Sequence, residues 1–292
     1  MTATGSPLPP ATAGLIAVTG ATGHVGGLVA HDLAREGARL RLVVRSAARA
    51  PQLPGATVVE TTYGDHDRSV AALAGVDVLL MVSAAESADR LDQHRTFIDA
   101  AVAAGVHHVV YTSFLGAAPD ATFTLARDHW ATEEHLRAAG VPHTILRDSC
   151  YLDFLPDLAG PDGVIRGPAD DGVVGAVARA DVARVAAGIL LAADEHAGAT
   201  YELTGSEALT LTEAAQIITE VTGRATTYVP ETIEEAYASR ASYGAPDWQV
   251  DAWVSTYTAI AAGELALVTD TVERLTGRRS MTLRELLAPL AL

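Results

Sequence analysis

Six short apolar runs occupy the first half of the chain: "LIAVT" (15–19), "RLRLVVR" (39–45), "ATVVET" (56–61), "DVLLMVS" (77–83), "HHVVYTS" (107–113) and "VPHTILR" (141–147). Helical patterning lies between several of them, at 24–36, at 88–104 and in "DHWATEEHLRAAG" (128–140), with Gly37 and Gly140 as natural stops. Strands that alternate with helices pair in parallel, because each crossover needs a helix to carry the chain back. Continuous rather than alternating apolar runs are what a sheet covered on both faces requires. The expected fold is therefore α/β, a doubly wound parallel sheet with helices on both faces.

The first of these runs leads into a glycine turn. "LIAVTGATGHVGG" spaces Gly20, Gly23 and Gly26 three apart, between a strand and a helix. Gly20 permits a tight exit from the strand, Gly23 lets backbone approach a diphosphate, and Gly26 lets the helix pack close to the sheet. The helix then presents unpaired N–H groups and its positive dipole end to phosphate. A bare, tightly packed turn is the plainer use of the same glycines. In this strand–turn–helix setting the spacing favours a dinucleotide, which makes the domain Rossmann-like.

The second strand should reach the adenosine ribose. It ends in "VVRSAAR", with Arg45 closing the strand and Arg49 one turn on, and no carboxylate stands there. A basic residue suits the 2′-phosphate of NADP, so NADP(H) is preferred, with NAD(H) still compatible. Two solvated loop arginines would read the same way. In "YGDHD", Asp65 follows the third strand, where it can accept from an adenine amino group, cap the helix beginning there, or do both.

After about Asp148 the pattern loosens. "ARADVARVAAGILLAAD" (178–194) and "TLTEAAQIITEVTG" (210–223) read as helices, "TYELTG" (200–205) as a strand, "TTYVP" (226–230) as extended, and 231–262 as helical. The expected organisation is a tail over 1–12 and a nucleotide-binding domain over 13–150, to which 178–205 returns. Residues 151–292 form mainly a small α/β substrate lobe.

Composition narrows the function. The chain has 292 residues and a formal net charge of −16, which argues against a nucleic-acid partner. All 20 basic residues of the Lys+Arg count are arginine; there is no lysine. The single Cys150 excludes an internal disulfide and a cysteine zinc cluster, and reads as a small buried apolar residue. His107 and His108 are adjacent and so leave a strand on opposite faces, and no other histidines share a ligand spacing, so no metal is expected. Neither a signal-peptide pattern nor a spanning apolar run occurs; the expectation is a cytoplasmic protein without a membrane partner. A homo-oligomer is compatible with this reading.

Taken in order, "VTGATGHVGG", "VVR", "YGD", "VVYTSFLGA", "DHWATEEHLRAAGVPHTILR", "ARADVA" and "YELTGSEALTLTEAAQIITEVTG" resemble the NmrA-like branch of the atypical short-chain dehydrogenase/reductases. The resemblance spans about residues 14–230 and is strongest to type 2 NAD(P)H:quinone oxidoreductases and triphenylmethane reductases. It implies a Rossmann domain that binds NADPH and a small C-terminal lobe with the substrate cleft between them. It also implies quinones, dyes or other planar aromatics as substrates. Carried onto this chain, it puts the diphosphate on Thr22, Gly23, His24 and Val25, the 2′-phosphate on Arg45 and the adenine on Asp65. Ser83 and Ala84 would line the ribose, and Ser113 would sit by the nicotinamide. His129 would occupy the helix face where the wider superfamily carries its active-site Tyr and Lys, and Tyr151 would lie near the nicotinamide ring.

The general short-chain mechanism uses Tyr-x-x-x-Lys, in which the ammonium lowers the tyrosine pKa. A chain without lysine cannot build that pair. Reducing an ordinary ketone creates an alkoxide that needs a strong proton donor, whereas a quinone spreads the incoming charge into a delocalised phenolate. Hydride transfer to a conjugated aromatic acceptor is therefore the best fit, with rate coming mainly from positioning. Ser113, His129 and Tyr151 are the candidate catalytic residues. Each has a plainer use: Ser113 as a strand-end cap, His129 bonded to backbone or ribose, Tyr151 as core filling. Trp130 could likewise stack on a flat substrate or fill the core. A non-catalytic NAD(P)-sensing regulator of the same family is the rival reading, and tailoring of an aromatic polyketide-like compound, by reduction or oxygenation, is a third.

Overall fold

A computed structural model describes residues 14–290; the tail expected over 1–12 lies outside the described residues. The chain opens with β1 (Ile16–Thr19), α1 (His24–Arg35), β2 (Leu40–Val44), β3 (Ala56–Glu60), α2 (His66–Leu73), β4 (Val78–Met81) and α3 (Arg90–Ala103). It continues with β5 (His108–Phe114), α4 (Thr124–Ala138) and β6 (His143–Asp148). Apart from β3, a sheet-edge strand with no buried residue, these strands are buried along most of their length, as β-branched and leucine-rich segments covered on both faces should be.

Six strands from this half and β9 (Thr200–Leu203) form one seven-stranded sheet in the order β3-β2-β1-β4-β5-β6-β9, with every pairing parallel. The order turns outward in both directions from β1 and β4. That switch point leaves a crevice at the C-terminal ends of the two strands, where ligands of such sheets bind.

One face of the sheet buries Val18, Leu42 and Leu146 under Val29 and Leu33 of α1 and Val182, Val185 and Ile189 of α5 (Arg179–Leu191). The other buries Leu79, Met81 and Val109 under Phe97 and Ile98 of α3 and Leu136 of α4. Thus α5 and β9 carry the chain back to the main sheet after it has left β6.

The remaining elements are small. β7 (Val164–Gly167) pairs with β11 (Thr227–Pro230), and β8 (Val173–Val174) pairs with β10 (Leu209–Thr210). α6 (Leu211–Thr222), α7 (Ile233–Arg240), α8 (Asp247–Ala261), α9 (Thr271–Thr276) and α10 (Leu283–Leu287) complete the chain. A separate cluster of Leu155, Ile165, Leu211, Ile218, Ile260 and Leu283 holds much of this region together, with Cys150 packed against it. Burial pushes the Cys150 thiol up to about 12, so it stays an inert apolar group. Residues 231–262, expected to be helical throughout, divide into α7 and α8 around Gly244, whose φ of +62° ends the first run, and Pro246, which precedes the second. Among the described residues no helix is long and apolar enough to cross a membrane.

Candidate active site

The glycine turn occupies the crevice between β1 and α1. Gly20 has φ +62°, and its carbonyl accepts from Gly23 N–H at 2.8 Å, closing the turn. A Cβ on Gly26 would come within 2.5 Å of the carbonyl oxygens of both Thr19 and Gly20, so only glycine lets α1 approach the strand this closely. No side chain caps α1 at Gly23, and no acidic residue lies in its first turn. Its open N–H groups and dipole suit an anion. His24 is exposed and Thr22 half-buried beside this terminus, whereas Val25 points into the core and can offer only backbone.

A cleft of about 430 Å³ adjoins the turn, lined by Thr22, Gly23, His24 and, from elsewhere in the chain, Arg49, Asp153 and Arg179. Arg45 is exposed and makes no hydrogen bond or ion pair among the described residues; Arg49, not Arg45, lines the cleft. Asp65 serves as the N-cap of α2, accepting from Arg68 N–H at 3.1 Å, and its carboxylate remains partly exposed.

Across the switch point, the segment after β4 is held from several sides. Ser83 N–H donates to Thr112 Oγ1 at 2.9 Å, and Thr19 Oγ1 accepts from Val82 N–H at 2.9 Å. Ala84 is gripped at both ends by α3: its N–H donates to His94 Nε2 at 2.8 Å, and its carbonyl accepts from Arg90 Nε at 3.0 Å. Arg90 and His94 are one helical turn apart and so share a face. Neither stood out in the sequence, because only that i, i+4 spacing behind the fourth strand marks them.

Because Nε2 of His94 accepts, its proton sits on Nδ1 and is donated to Thr132 Oγ1 at 2.9 Å. Burial, reinforced by the Arg90 charge, takes His94 down to about 3. His129 is arranged in the same way. Arg90 Nη2 donates to its Nε2 at 2.9 Å, and its Nδ1 faces Tyr111 Oη at 2.9 Å. Burial and then the Arg90 guanidinium hold His129 well below the usual histidine range. Both imidazoles are therefore neutral linkers.

Ser113, next to last in β5, donates its hydroxyl to Glu133 Oε1 at 2.6 Å. Glu133 is completely buried on α4 and also accepts from Arg147 Nε and Nη2 at 2.9 and 2.7 Å and from Arg137 Nη2 at 3.0 Å. Its carboxylate raises the Arg147 pKa, chiefly by hydrogen bonding. Ser113 thus belongs to a buried ionic cluster, separate from the Arg90–His129 chain. Trp130 is half-buried on the same helix, and Phe114 packs against Phe123 with ring centroids 4.8 Å apart.

Tyr151 donates to Asp148 Oδ2 at 3.0 Å, and the Arg179 guanidinium lies 5.1 Å above its ring. Asp148 is buried, its Oδ1 has no partner, and burial pushes its carboxyl up to about 8. Burial and then the Asp148 charge push the Tyr151 hydroxyl well above its ordinary range.

The model of the NmrA-like family matches residues 12–244. The chain belongs to the NmrA-like family. It is 36% identical over 278 residues to quinone oxidoreductase 2 of Escherichia coli (strain K12), covering 93% of this chain and 96% of that protein. The crystal structure of NADPH-dependent quinone oxidoreductase from Escherichia coli, complexed with NADPH, superposes with a TM-score of 0.85 at 35% identity, covering 94% of this chain and 99% of that one. Triphenylmethane reductase from Citrobacter sp., complexed with NADP(H), gives 0.84 at 32% identity, covering 94% and 99%.

Proposed function

We propose that this NmrA-like chain transfers hydride from NADPH to a quinone-like or other planar aromatic acceptor, without a Tyr–Lys pair. It is an NAD(P)H-dependent oxidoreductase with NADP(H) as its nucleotide, in keeping with the relatives that carry NADPH or NADP(H). The observation that carries the acceptor reading is the state of the helix face on α4. Where a strong proton donor would be expected, His129 has committed its Nε2 to Arg90 and is held neutral.

The glycine turn fits a dinucleotide: Gly26 leaves no room for a side chain and α1 is uncapped. The N–H groups of the first turn of α1 would hold the diphosphate, with Thr22 and His24 beside them. Arg45 and Arg49 follow β2, where a 2′-phosphate is recognised. Ser83, tied to Thr112 of β5, and Ala84, clamped by α3, offer a fixed backbone edge to the ribose. Bound NADPH supplies the hydride. The protein contributes geometry, which can provide much of the rate when the acceptor delocalises the charge it receives. Residues 13–150 would carry the nucleotide and 151–292 mainly the acceptor.

The test mixes purified protein with NADPH and a panel of quinones, azo dyes and triarylmethane dyes while cofactor absorbance is followed. Turnover on part of the panel, with Arg45→Glu losing NADPH activity and gaining with NADH, is the expected result. Tight nucleotide binding with no oxidation anywhere on the panel overturns the reading in favour of a sensor.

A further inference from the structure

Arg179 is an arginine whose surroundings leave its charge unused. It opens α5 half-buried in the wall of the cleft that also exposes Thr22, Gly23 and His24. Asp153 lines the same cleft, yet its carboxylate is turned to the backbone: Oδ2 accepts from Arg179 N–H at 2.8 Å. No hydrogen bond or ion pair reaches the Arg179 guanidinium among the described residues. By contrast, Arg184, on the same helix, is paired with Asp181 at 2.6 Å.

Its position is set from below. The guanidinium lies 5.1 Å over the Tyr151 ring, whose hydroxyl is anchored on Asp148. A ring face holds a guanidinium by cation–π attraction without consuming its in-plane N–H donors. Those donors remain available, and their fork geometry matches phosphate oxygens.

We propose that Arg179 is a phosphate-binding residue of the nucleotide site, closing on the dinucleotide diphosphate from the α5 side while the Tyr151 ring holds it in place. The inference rests on the NADPH reading above. It makes Tyr151 a positioning residue for nucleotide binding, a role separate from any contact with the nicotinamide. The diphosphate is the assigned contact because Arg179 shares the cleft with the open first turn of α1.

The experiment measures Kd for NADPH and for NADH by calorimetry on the wild type, Arg179→Ala, Arg179→Gln, Tyr151→Leu and Tyr151→Phe, with ligand-free melting as the check on folding. Arg179→Ala and Arg179→Gln are expected to weaken both nucleotides alike, about 10–100-fold, as loss of a charge-assisted phosphate contact should. Tyr151→Leu is expected to weaken both about threefold or more, and Tyr151→Phe, which keeps the ring, to retain affinity. Inorganic pyrophosphate should displace NADPH from the wild type. Unchanged affinity in both Arg179 variants, with the wild type binding tightly, overturns this inference alone. A loss confined to NADPH moves Arg179 to the 2′-phosphate and overturns the diphosphate assignment. A wild type that binds neither nucleotide overturns this inference and the functional reading together.

Discussion

Arg90 Nη2 donates to His129 Nε2 across 2.9 Å, which fixes the imidazole proton on Nδ1, facing Tyr111. The nitrogen that could carry a transferable proton is thus occupied by a cation. His129 should not titrate in the working range, and the pH profile of kcat should keep its shape between about pH 6 and pH 9 in His129→Asn. A variant of this kind should act through the clamp on Ala84, raising KM for NADPH more than it lowers kcat. A limb near the ordinary histidine pKa that disappears in the variant would make His129 a general acid instead.

His94 and His129 also set the acid side of the stability curve. Both have folded pKa values depressed by burial and by Arg90, His94 to about 3. Below the unfolded histidine value the unfolded chain binds protons that the folded one refuses. Stability is therefore fully present above about pH 6.5 and falls as the pH drops, by up to about 1.4 kcal/mol per pH unit for each histidine. His94→Gln can keep an acceptor toward Ala84 and a donor toward Thr132 without titrating. Denaturant midpoints measured from neutral to acid pH should fall less steeply in this variant than in the wild type. Equal slopes would show that His94 does not contribute.

Glu133 makes a separate prediction, because its buried carboxylate joins three partners: Ser113 from the interior, the largely buried Arg147 and the exposed Arg137. Ser113, Arg137 and Arg147 all donate to it, and its side chain has no exposure. Glu133→Ala strands Arg147, whose side chain is only 20% exposed, and should cost about 3–5 kcal/mol. Ser113→Ala leaves the arginines paired and should cost only about 1 kcal/mol. Urea unfolding of the two variants distinguishes this ranking from one in which Ser113 is the important member.

These clusters show where the sequence was legible and where it was not. The glycine turn is local: Gly20, Gly23 and Gly26 act within a few residues, so spacing alone conveys their use. The strands are equally local, since an apolar run such as Ile16–Thr19 needs burial on both faces wherever it lies. The start of α4 is different. It begins at Thr124, ahead of the expected 128, where Ser255 of α8 supplies an acceptor for the Thr124 N–H at 3.2 Å. Ser113 reaches Glu133 and Arg90 reaches His129 across turns of chain whose side-chain directions depend on tertiary packing. The role of Asp65 was half legible, because its capping bond is local while any contact with adenine is not. After Asp148, β7 and β8 are too short to show a period, and each forms only by pairing with a strand much later in the chain.

Asp148 gives the prediction with the opposite sign to the histidines. It accepts from Tyr151, but its second oxygen is buried without a partner, and burial raises the folded pKa to about 8. The folded state therefore holds a proton that the unfolded chain releases near the ordinary aspartate value. The stabilisation is fully present below about pH 4 and is lost progressively as the pH rises through the folded value, at up to about 1.4 kcal/mol per pH unit. Asp148→Asn keeps an acceptor for the Tyr151 hydroxyl and removes the titration. Relative to the wild type, its stability should improve steadily from acid to alkaline pH, by roughly 2 kcal/mol or more between pH 5 and pH 8. Asp148→Ala removes the acceptor and should instead leave Tyr151 without its buried partner, at a cost of about 1–3 kcal/mol. Chemical denaturation of the three proteins at a series of pH values reads both effects. A wild-type curve parallel to that of Asp148→Asn would mean that the carboxyl is ionised and compensated in the fold, and the neutral Asp148–Tyr151 pair would have to be abandoned.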